Sequence, residues 1–166
     1  MMDRIPKRRR SLLGLVLVMT LLGAQALEGQ NQGKIERLRA SYDATAFASI
    51  EILVAEARDA GIPIGPLYDK ALEGAAKRVP VARVLPALEE FSSRMQTARG
   101  LMDGVPTPAA IVAGAGALRR GVSHQAITEV SRVGGDRTAV ALLVVGDLFK
   151  SGVRGDRALN MVREAL

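Results

Sequence analysis

The sequence predicts an all-α protein, and three observations carry this prediction. Apolar residues recur at the three-and-four spacing of one helical face along most of the chain, and no segment shows a clear alternation of period two. Glycines followed by an aliphatic residue interrupt the pattern about every 15 to 20 residues. Aromatic residues make up only 3% of the chain, so the core must be built from small aliphatic side chains, which suit closely packed helices. We expect about seven helices, arranged as an irregular multi-helix bundle or as a short stack of helical hairpins.

Residues 1–26 have the layout of a secretory signal peptide. Basic residues precede an uncharged stretch that begins at Ser11, and Ala24-Gln25-Ala26 matches the small-residue cleavage pattern. The apolar stretch is shorter than the roughly 20 residues that span a bilayer. A retained anchor over residues 11–27 is the alternative. The Arg9-Arg10 pair leaves a twin-arginine route open beside the general secretory route. The sequence therefore predicts export to the periplasm or beyond the cell, with inner-membrane contact through the N-terminal segment if it is not cleaved.

The charge and cysteine content of the chain exclude several classes of function. The full chain has a net charge of +6, but residues 1–26 hold five of the 23 Lys and Arg and one of the 17 Asp and Glu, so cleavage would leave a net +2. A balance this close to neutral predicts no nucleic-acid partner. The chain has no cysteine, which excludes disulfides, thiol catalysis and a lipid-modified N-terminal cysteine.

A single helical domain is predicted over residues 35–166, after a polar linker at 27–34. The first helix should run from Ile35 to about Ala60, because its apolar periodicity is unbroken. Pro86 should either kink the third helix or delay its start to about Leu85. The helices predicted after the first cover residues 66–78, 81–100, 108–120, 124–133, 137–150 and 156–166.

Glycine turns should end several of these helices. In Gly61-Ile62, Gly104-Val105, Gly121-Val122 and Gly152-Val153, the glycine can adopt the left-handed conformation while the aliphatic residue folds back on the last turn. Short polar side chains should then cap the helices that follow. The predicted caps are Thr107, Ser123, Asp136 and Asp156.

Two helices have unusual compositions. The segment 138–149 (TAVALLVVGDLF) is apolar on all sides, which favours a fully buried central helix, with a strand as the alternative. Within AAIVAGAGAL, small side chains should form an internal contact face that lets a second helix approach closely, which offsets the cost of helical glycine. The residues of this face are Ala109, Ala110, Ala113, Gly114 and Ala117.

No residue pattern indicates catalysis, a cofactor or a metal ion. His124, the only histidine, follows the predicted cap Ser123 and should be an ordinary surface residue. Adjacent Glu89 and Glu90 point in different directions on a helix, while Asp69 and Glu73 share a face with lysines, as a solvated surface would. The Arg154-Gly155-Asp156 tripeptide is interpreted as a chance occurrence at a helix start. We therefore predict no catalytic, cofactor-binding or metal-binding residues.

Arginines near predicted helix ends are the candidate partner-binding residues. If those ends lie on one edge of the domain, their charges could hold an acidic partner or anionic lipid headgroups. The residues are Arg119, Arg120, Arg132, Arg137, Arg154 and Arg157.

The predicted function is that of an exported bacterial envelope protein that acts as a non-catalytic binding or scaffolding module for an envelope protein partner. The first alternative is an apolar-ligand or lipid carrier, with a cavity among Phe91, Met95, Met102, Leu142 and Phe149. The second is a small envelope hydrolase, which would depend on His124.

Overall fold

The computed structural model describes residues 31–153 and 155–165, and every regular element within them is helical. The all-α prediction is confirmed for this part of the chain. The predicted signal segment and Arg154 lie outside the described residues, and none of the helices described is long and apolar enough to cross a bilayer. The elements are α1 (residues 31–41), α2 (Ala44–Asp59), α3 (Gly65–Ala76), α4 (Val81–Gly100), α5 (Pro108–Arg119), α6 (His124–Gly134), a 3₁₀ turn (Gly135–Arg137), α7 (Thr138–Lys150) and α8 (Asp156–Arg163).

The first predicted helix is two helices, so the expectation of one helix up to Ala60 was wrong. Asp43 is the N-cap of α2 and its Oδ1 accepts a hydrogen bond from the backbone N–H of Ala46 at 2.8 Å. The break between α1 and α2 places Tyr42 where its hydroxyl donates to the Ala71 carbonyl of α3 at 2.7 Å. Apolar periodicity continues across the break, which is why it conceals the change of direction.

The chain is already helical at residue 31, within the segment predicted as a linker. This start is tied to α3, since Lys34 forms an ion pair with Asp69 at 2.8 Å and also donates to the Gly65 carbonyl. At residues 31–34 the polar composition therefore reflects surface exposure and contact with α3.

Pro86 lies inside α4, which begins at Val81 with Pro80 as its N-cap and continues to Gly100. The alternative start near Leu85 was therefore wrong. Proline removes one backbone donor from the helix, the one that would serve the Ala82 carbonyl. Ala82 and Pro86 are both exposed, so water can hydrate that carbonyl and the helix persists.

The predicted glycine turns are confirmed after α2, α5 and α7. Gly61, Gly121 and Gly152 have φ of +69°, +86° and +89°. The next residue in each case donates its N–H to the carbonyl five positions earlier, the bond that closes a helix C-terminus in the Schellman motif.

The prediction for Gly104-Val105 was only half right. Gly104 has φ +68°, but Val105 is 98% exposed and packs on nothing. Helix α4 ends at Gly100, so Gly104 lies in the loop before α5 instead of at a helix terminus. An unpredicted turn of the Schellman type occurs after α3, where Arg78 has φ +54° and Val79 N–H donates to Gly74 at 2.9 Å.

Two of the four predicted caps are confirmed. Thr107 and Ser123 accept from backbone N–H groups three residues on, each at 3.2 Å. Asp136 and Asp156 do not cap. Both confirmed caps have extended backbones, with ψ of 152° and 155°, whereas Asp136 lies within the 3₁₀ turn that joins α6 directly to α7. Asp156 is already inside α8, and Gly155 occupies the N-cap position.

The core consists of two apolar clusters, one contributed by α1–α5 and the other by α4–α8. Helix α5 belongs to both, and it packs extensively against α4 and α7. Its small residues are buried as predicted at Ala110, Ala113, Gly114 and Ala117, whereas Ala109 is exposed. A Cβ added at Gly114 would lie 2.9 Å from the Ala98 Cβ, so glycine is needed for the close approach of α4.

The segment predicted as a central helix does form α7, and the strand alternative is excluded. The prediction that this helix is completely buried was wrong. Ala141, Leu142, Val145 and Phe149 are buried, but an outer stripe is exposed because α5, α6 and α8 cover only one side of the helix. The exposed residues of this stripe are Val140 (62%), Leu143 (49%) and Val144 (45%).

Candidate functional site

A groove with a volume of about 500 Å³ lies where α3, α4, α5 and α7 meet. It is open to solvent, and its apolar residues Phe91, Val112 and Ala115 belong to or pack against the α1–α5 cluster. A volume of this size falls in the range of about 300–1,000 Å³ found for ligand sites. The lining residues are Pro66, Asp69, Lys70, Glu73, Phe91, Arg94, Val112, Ala115, Gly116, Arg119, Arg120 and Leu143.

The floor of the groove is apolar. Phe91 comes from α4, Val112 and Ala115 from α5, and Leu143 from α7. Two of the lining residues from α5, Ala115 and Gly116, have side chains too small to fill the groove. This floor can take up apolar side chains or the apolar part of a ligand.

Most of the charged side chains around the groove are neutralised within the protein. Asp69 pairs with Lys34 at 2.8 Å, Glu73 with Lys77, Arg94 with Glu90, and Arg120 with Asp147 at 3.3 Å. These four ion pairs connect α1 to α3 and α5 to α7, or join successive turns of α3 and α4. They position the rim of the groove and add little net charge to it.

Lys70 and Arg119 are the two cations left over. Within residues 31–153 and 155–165, neither forms an ion pair. The Lys70 ammonium lies 5.9 Å from the centre of the Phe91 ring, so it stands directly above the apolar floor. Arg119 is exposed at the last turn of α5. The rim therefore presents uncompensated positive charge to whatever enters.

The electrostatic effect of these cations is seen at Glu73. Its pKa is lowered from the ordinary value chiefly by the hydrogen bond and the charge of Lys77, with smaller contributions from Lys70 and Arg119. Both unpaired cations therefore act on the same carboxylate at the rim of the groove. A carboxylate brought in by a ligand would meet the same positive field.

The groove continues onto the outer stripe of α7. Leu143 lines the groove. On the same exposed stripe, Val140 lies about one turn before Leu143 and Val144 is the next residue after it. Three large aliphatic side chains at this spacing form a contiguous apolar face. We call the groove and this stripe together the groove face.

The structure places the predicted arginines in several surroundings. Arg119 and Arg120 line the groove, while Arg132 lines a separate shallow depression with Gln125, Thr128 and Glu129. Arg137 is exposed in the 3₁₀ turn and Arg157 is exposed in the first turn of α8. A common arginine edge stays a prediction.

Sequence reasoning missed Lys70, Arg94 and Leu143 as residues of one site. Asp69 and Glu73 were recognised as sharing a helical face with Lys70 and Lys77 nearby, and the structure shows Asp69 and Glu73 at the rim of the groove. Leu143 carried no signal, because a leucine in an apolar stretch is normally interpreted as core.

The residues weighed for catalysis and metal binding are exposed. His124 lies at the start of α6 beside the cap Ser123, and Glu89 and Glu90 lie on the outer surface of α4. In the part of the chain that the structure describes, no group of three or more His, Asp or Glu side chains is placed to hold a metal ion.

The residues predicted to form a carrier cavity separate into two sets. Met95, Met102, Leu142 and Phe149 are buried in the two core clusters. Phe91 alone lines the groove. An apolar ligand would therefore bind in the groove rather than among the four buried residues.

Comparisons of the chain with protein-family models, with curated proteins and with solved structures found no match, so the groove face is interpreted from its own geometry.

Proposed function

We propose that this protein is an exported bacterial envelope protein that acts as a non-catalytic helical binding or scaffolding module, and that it receives a protein partner on the groove face. One observation carries the proposal. An open groove with an apolar floor continues onto an exposed aliphatic stripe, and unpaired cations stand at its rim. Apolar surface with a polar border is typical of interaction sites.

We also propose that the helices form a short stack of helical hairpins. Every extensive contact among the described helices joins neighbours or next-neighbours in the chain, such as α4 with α5 and α5 with α7. Stacks of this kind bind partners on surfaces that span several helices. The groove, which takes residues from α3, α4, α5 and α7, is such a surface.

Site-specific crosslinking tests the proposed partner surface. A photo-reactive phenylalanine analogue at Val140 should capture a protein partner in the cell envelope, whereas the same analogue at Ile52 should not. Both positions are 62% exposed, so exposure is matched between them. The captured partner is then purified, and its Kd for the domain is measured.

The purified complex decides the outcome. Val144→Lys should weaken binding roughly tenfold or more, since it places a charge in the apolar stripe, and Ile52→Lys should leave the Kd unchanged. Equal capture from Val140 and Ile52, or a Kd that Val144→Lys does not change, would contradict the proposed surface.

Export is part of the proposal and has its own measurement. The N-terminus of the protein recovered from fractionated bacterial cells should begin after Ala26 and be found outside the cytoplasm. Recovery of the intact chain in the inner membrane would instead support the retained anchor, and recovery of the intact chain in the cytoplasm would contradict export.

A second candidate function, an apolar-ligand carrier, is favoured by the volume of the groove alone. A carrier purified under mild conditions should retain an amphiphilic small molecule that native mass spectrometry detects. Enlarging Ala115 to Leu should then displace it, because Ala115 lies on the floor of the groove.

A further inference from the structure

We infer that the groove face binds an acidic amphipathic helix of the partner, whose apolar side chains contact Phe91 and Leu143 while its carboxylates pair with Lys70 and Arg119. This inference rests on the proposed function and adds the chemistry of the partner segment. Three features of the groove support it: its charge, its shape and the aliphatic spacing on α7.

The charge of the rim selects an acidic partner. Four of the six charged lining residues already have partners of opposite sign, and the two without an ion pair are both cations. An incoming carboxylate would pair with Lys70 or Arg119 without displacing an existing ion pair, whereas an incoming cation would meet two like charges. Charge arrangements of this kind favour one class of partner and oppose the other.

The position of Lys70 links charge recognition to apolar contact. Its ammonium stands above the Phe91 ring, so a carboxylate that reaches it brings the neighbouring turn of its own chain over the apolar floor. The incoming segment must therefore carry acidic and apolar side chains within a few residues of each other. An amphipathic helix does so, because its charged and apolar residues lie on two sides of the same helix.

The shape of the surface favours a helix over other peptide conformations. The described residues contain no strand, so they offer no sheet edge to which an extended peptide could be added. Polyproline segments bind to grooves lined by several aromatic rings, and Phe91 is the one aromatic residue in this groove. By contrast, Val140, Leu143 and Val144 have the three-and-four spacing with which one helix packs on another.

Binding of designed peptides tests the inference. The probe is a labelled helical peptide with leucines along one face and glutamates beside them, compared with the same peptide carrying lysines in place of the glutamates. The protein used is the domain over residues 27–166, which the proposed cleavage would release. Fluorescence anisotropy should show that this domain binds the acidic peptide saturably and does not bind the lysine peptide. Salt should weaken the binding of the acidic peptide, because dissolved ions screen charges at the open rim of the groove.

Charge reversal locates the site. The double variant Lys70→Glu, Arg119→Glu should lose at least tenfold in affinity for the acidic peptide and gain affinity for the basic one. The matched control is Arg39→Glu, Arg78→Glu, which makes the same change in charge at two exposed residues that do not line the groove and should leave both affinities unchanged. Circular dichroism and the thermal midpoint confirm that each variant is folded.

Several results would overturn the inference. The first two are equal binding of both peptides, and loss of binding in the Arg39, Arg78 control with none in the groove variant. The others are binding of anionic phosphatidylglycerol vesicles with no binding of the acidic peptide, and a dimer of this chain that Val144→Lys dissociates. If the crosslinked partner still binds through Val140 while the acidic peptide does not, the proposed function stands and only the inference about an acidic helix fails.

Discussion

Arg78 occupies the left-handed region of the backbone at φ +54°, where a side chain with a Cβ costs about 1–2 kcal/mol. It ends α3 in the same way that Gly61, Gly121 and Gly152 end their helices. Glycine at those three positions could be recognised from the sequence because it is the residue that adopts this conformation without strain. An arginine gives no such signal, so the turn after α3 could not be predicted.

Replacing Arg78 with glycine should therefore stabilise the protein. We expect Arg78→Gly to raise the free energy of unfolding by about 0.5–1 kcal/mol, because relief of the strained conformation exceeds the entropy that glycine adds to the unfolded chain. The measurement is urea denaturation. Gly152→Ala is the control of opposite sign. Gly152 has φ +89°, and a Cβ added there would have no heavy atom within 4 Å. Backbone strain alone should therefore lower the free energy of unfolding of this variant by about 1 kcal/mol. A destabilised Arg78→Gly would contradict the argument.

At the scale of the helix, side-chain composition predicted contact but backbone context decided capping. The small residues of α5 indicated a close approach, and α4 provides it. Asp43 and Asp136 are the same residue type, but only Asp43 lies in an extended backbone where its side chain can reach the N–H of the third residue on. Whether two helices are joined through a break or a 3₁₀ turn is settled by packing, so local sequence rules failed there.

The contact between α4 and α5 predicts different responses from two neighbouring glycines. In Gly114→Ala the new Cβ would lie 2.7 Å from the Met102 Cε and 2.9 Å from the Ala98 Cβ. We expect a loss of about 1–2 kcal/mol, since overpacking outweighs the gain of about 1 kcal/mol in helix propensity.

Gly116→Ala is the matched control. Its Cβ would meet only the Arg120 Nη1 at 3.1 Å, the end of a flexible side chain. This variant should be neutral or more stable by up to about 1 kcal/mol. Thermal and urea unfolding of both proteins give the comparison, and similar stabilities would show that α4 and α5 are not as close as described.

At the scale of the whole molecule, a buried polar pair lies within the cluster built from α1–α5. The Tyr68 hydroxyl and Glu51 Oε1 are buried and have no hydrogen-bond partner of regular geometry. Burial raises the pKa of Tyr68 to about 12, the negative charge of Glu51 adds to the rise, and Arg58 opposes it. The folded protein therefore stabilises the neutral, protonated form of the Tyr68 side chain.

This pair predicts a loss of stability in alkaline solution. In the unfolded chain tyrosine ionises near pH 10, and in the folded protein Tyr68 ionises near pH 12. Its contribution is therefore complete below pH 10 and is lost as pH rises toward 12, with a slope of at most about 1.4 kcal/mol per pH unit. Urea unfolding across this range should show a smaller decline in Tyr68→Phe than in the natural protein.

Absorbance of the tyrosinate ion supplies the direct check. The chain has two tyrosines and no tryptophan, so Tyr42→Phe leaves a single titrating phenol. That phenol should ionise well above pH 10 in the folded protein and near pH 10 in urea. Ionisation at the ordinary value in both would mean that Tyr68 is not buried beside Glu51.

The candidate site was predictable in part. Arg119 and Arg120 were singled out because they lie at a predicted helix end, and both line the groove. Lys70 and Leu143 were not singled out, because their placement in one groove depends on how α3 and α7 lie on either side of α5. The prediction of a fully buried α7 hid the exposed stripe, because an apolar segment shows no boundary between its covered and uncovered sides.

By itself, the sequence determined the helical class, the main helix termini at glycines and at Thr107 and Ser123, and the close face of α5. Each of these depends on interactions within a few residues along the chain. Only the tertiary structure decided the break at Asp43, the exposed stripe of α7 and the assembly of the groove from four helices. These depend on which surfaces neighbouring helices cover, and the free energy of that burial is shared among residues far apart in the chain.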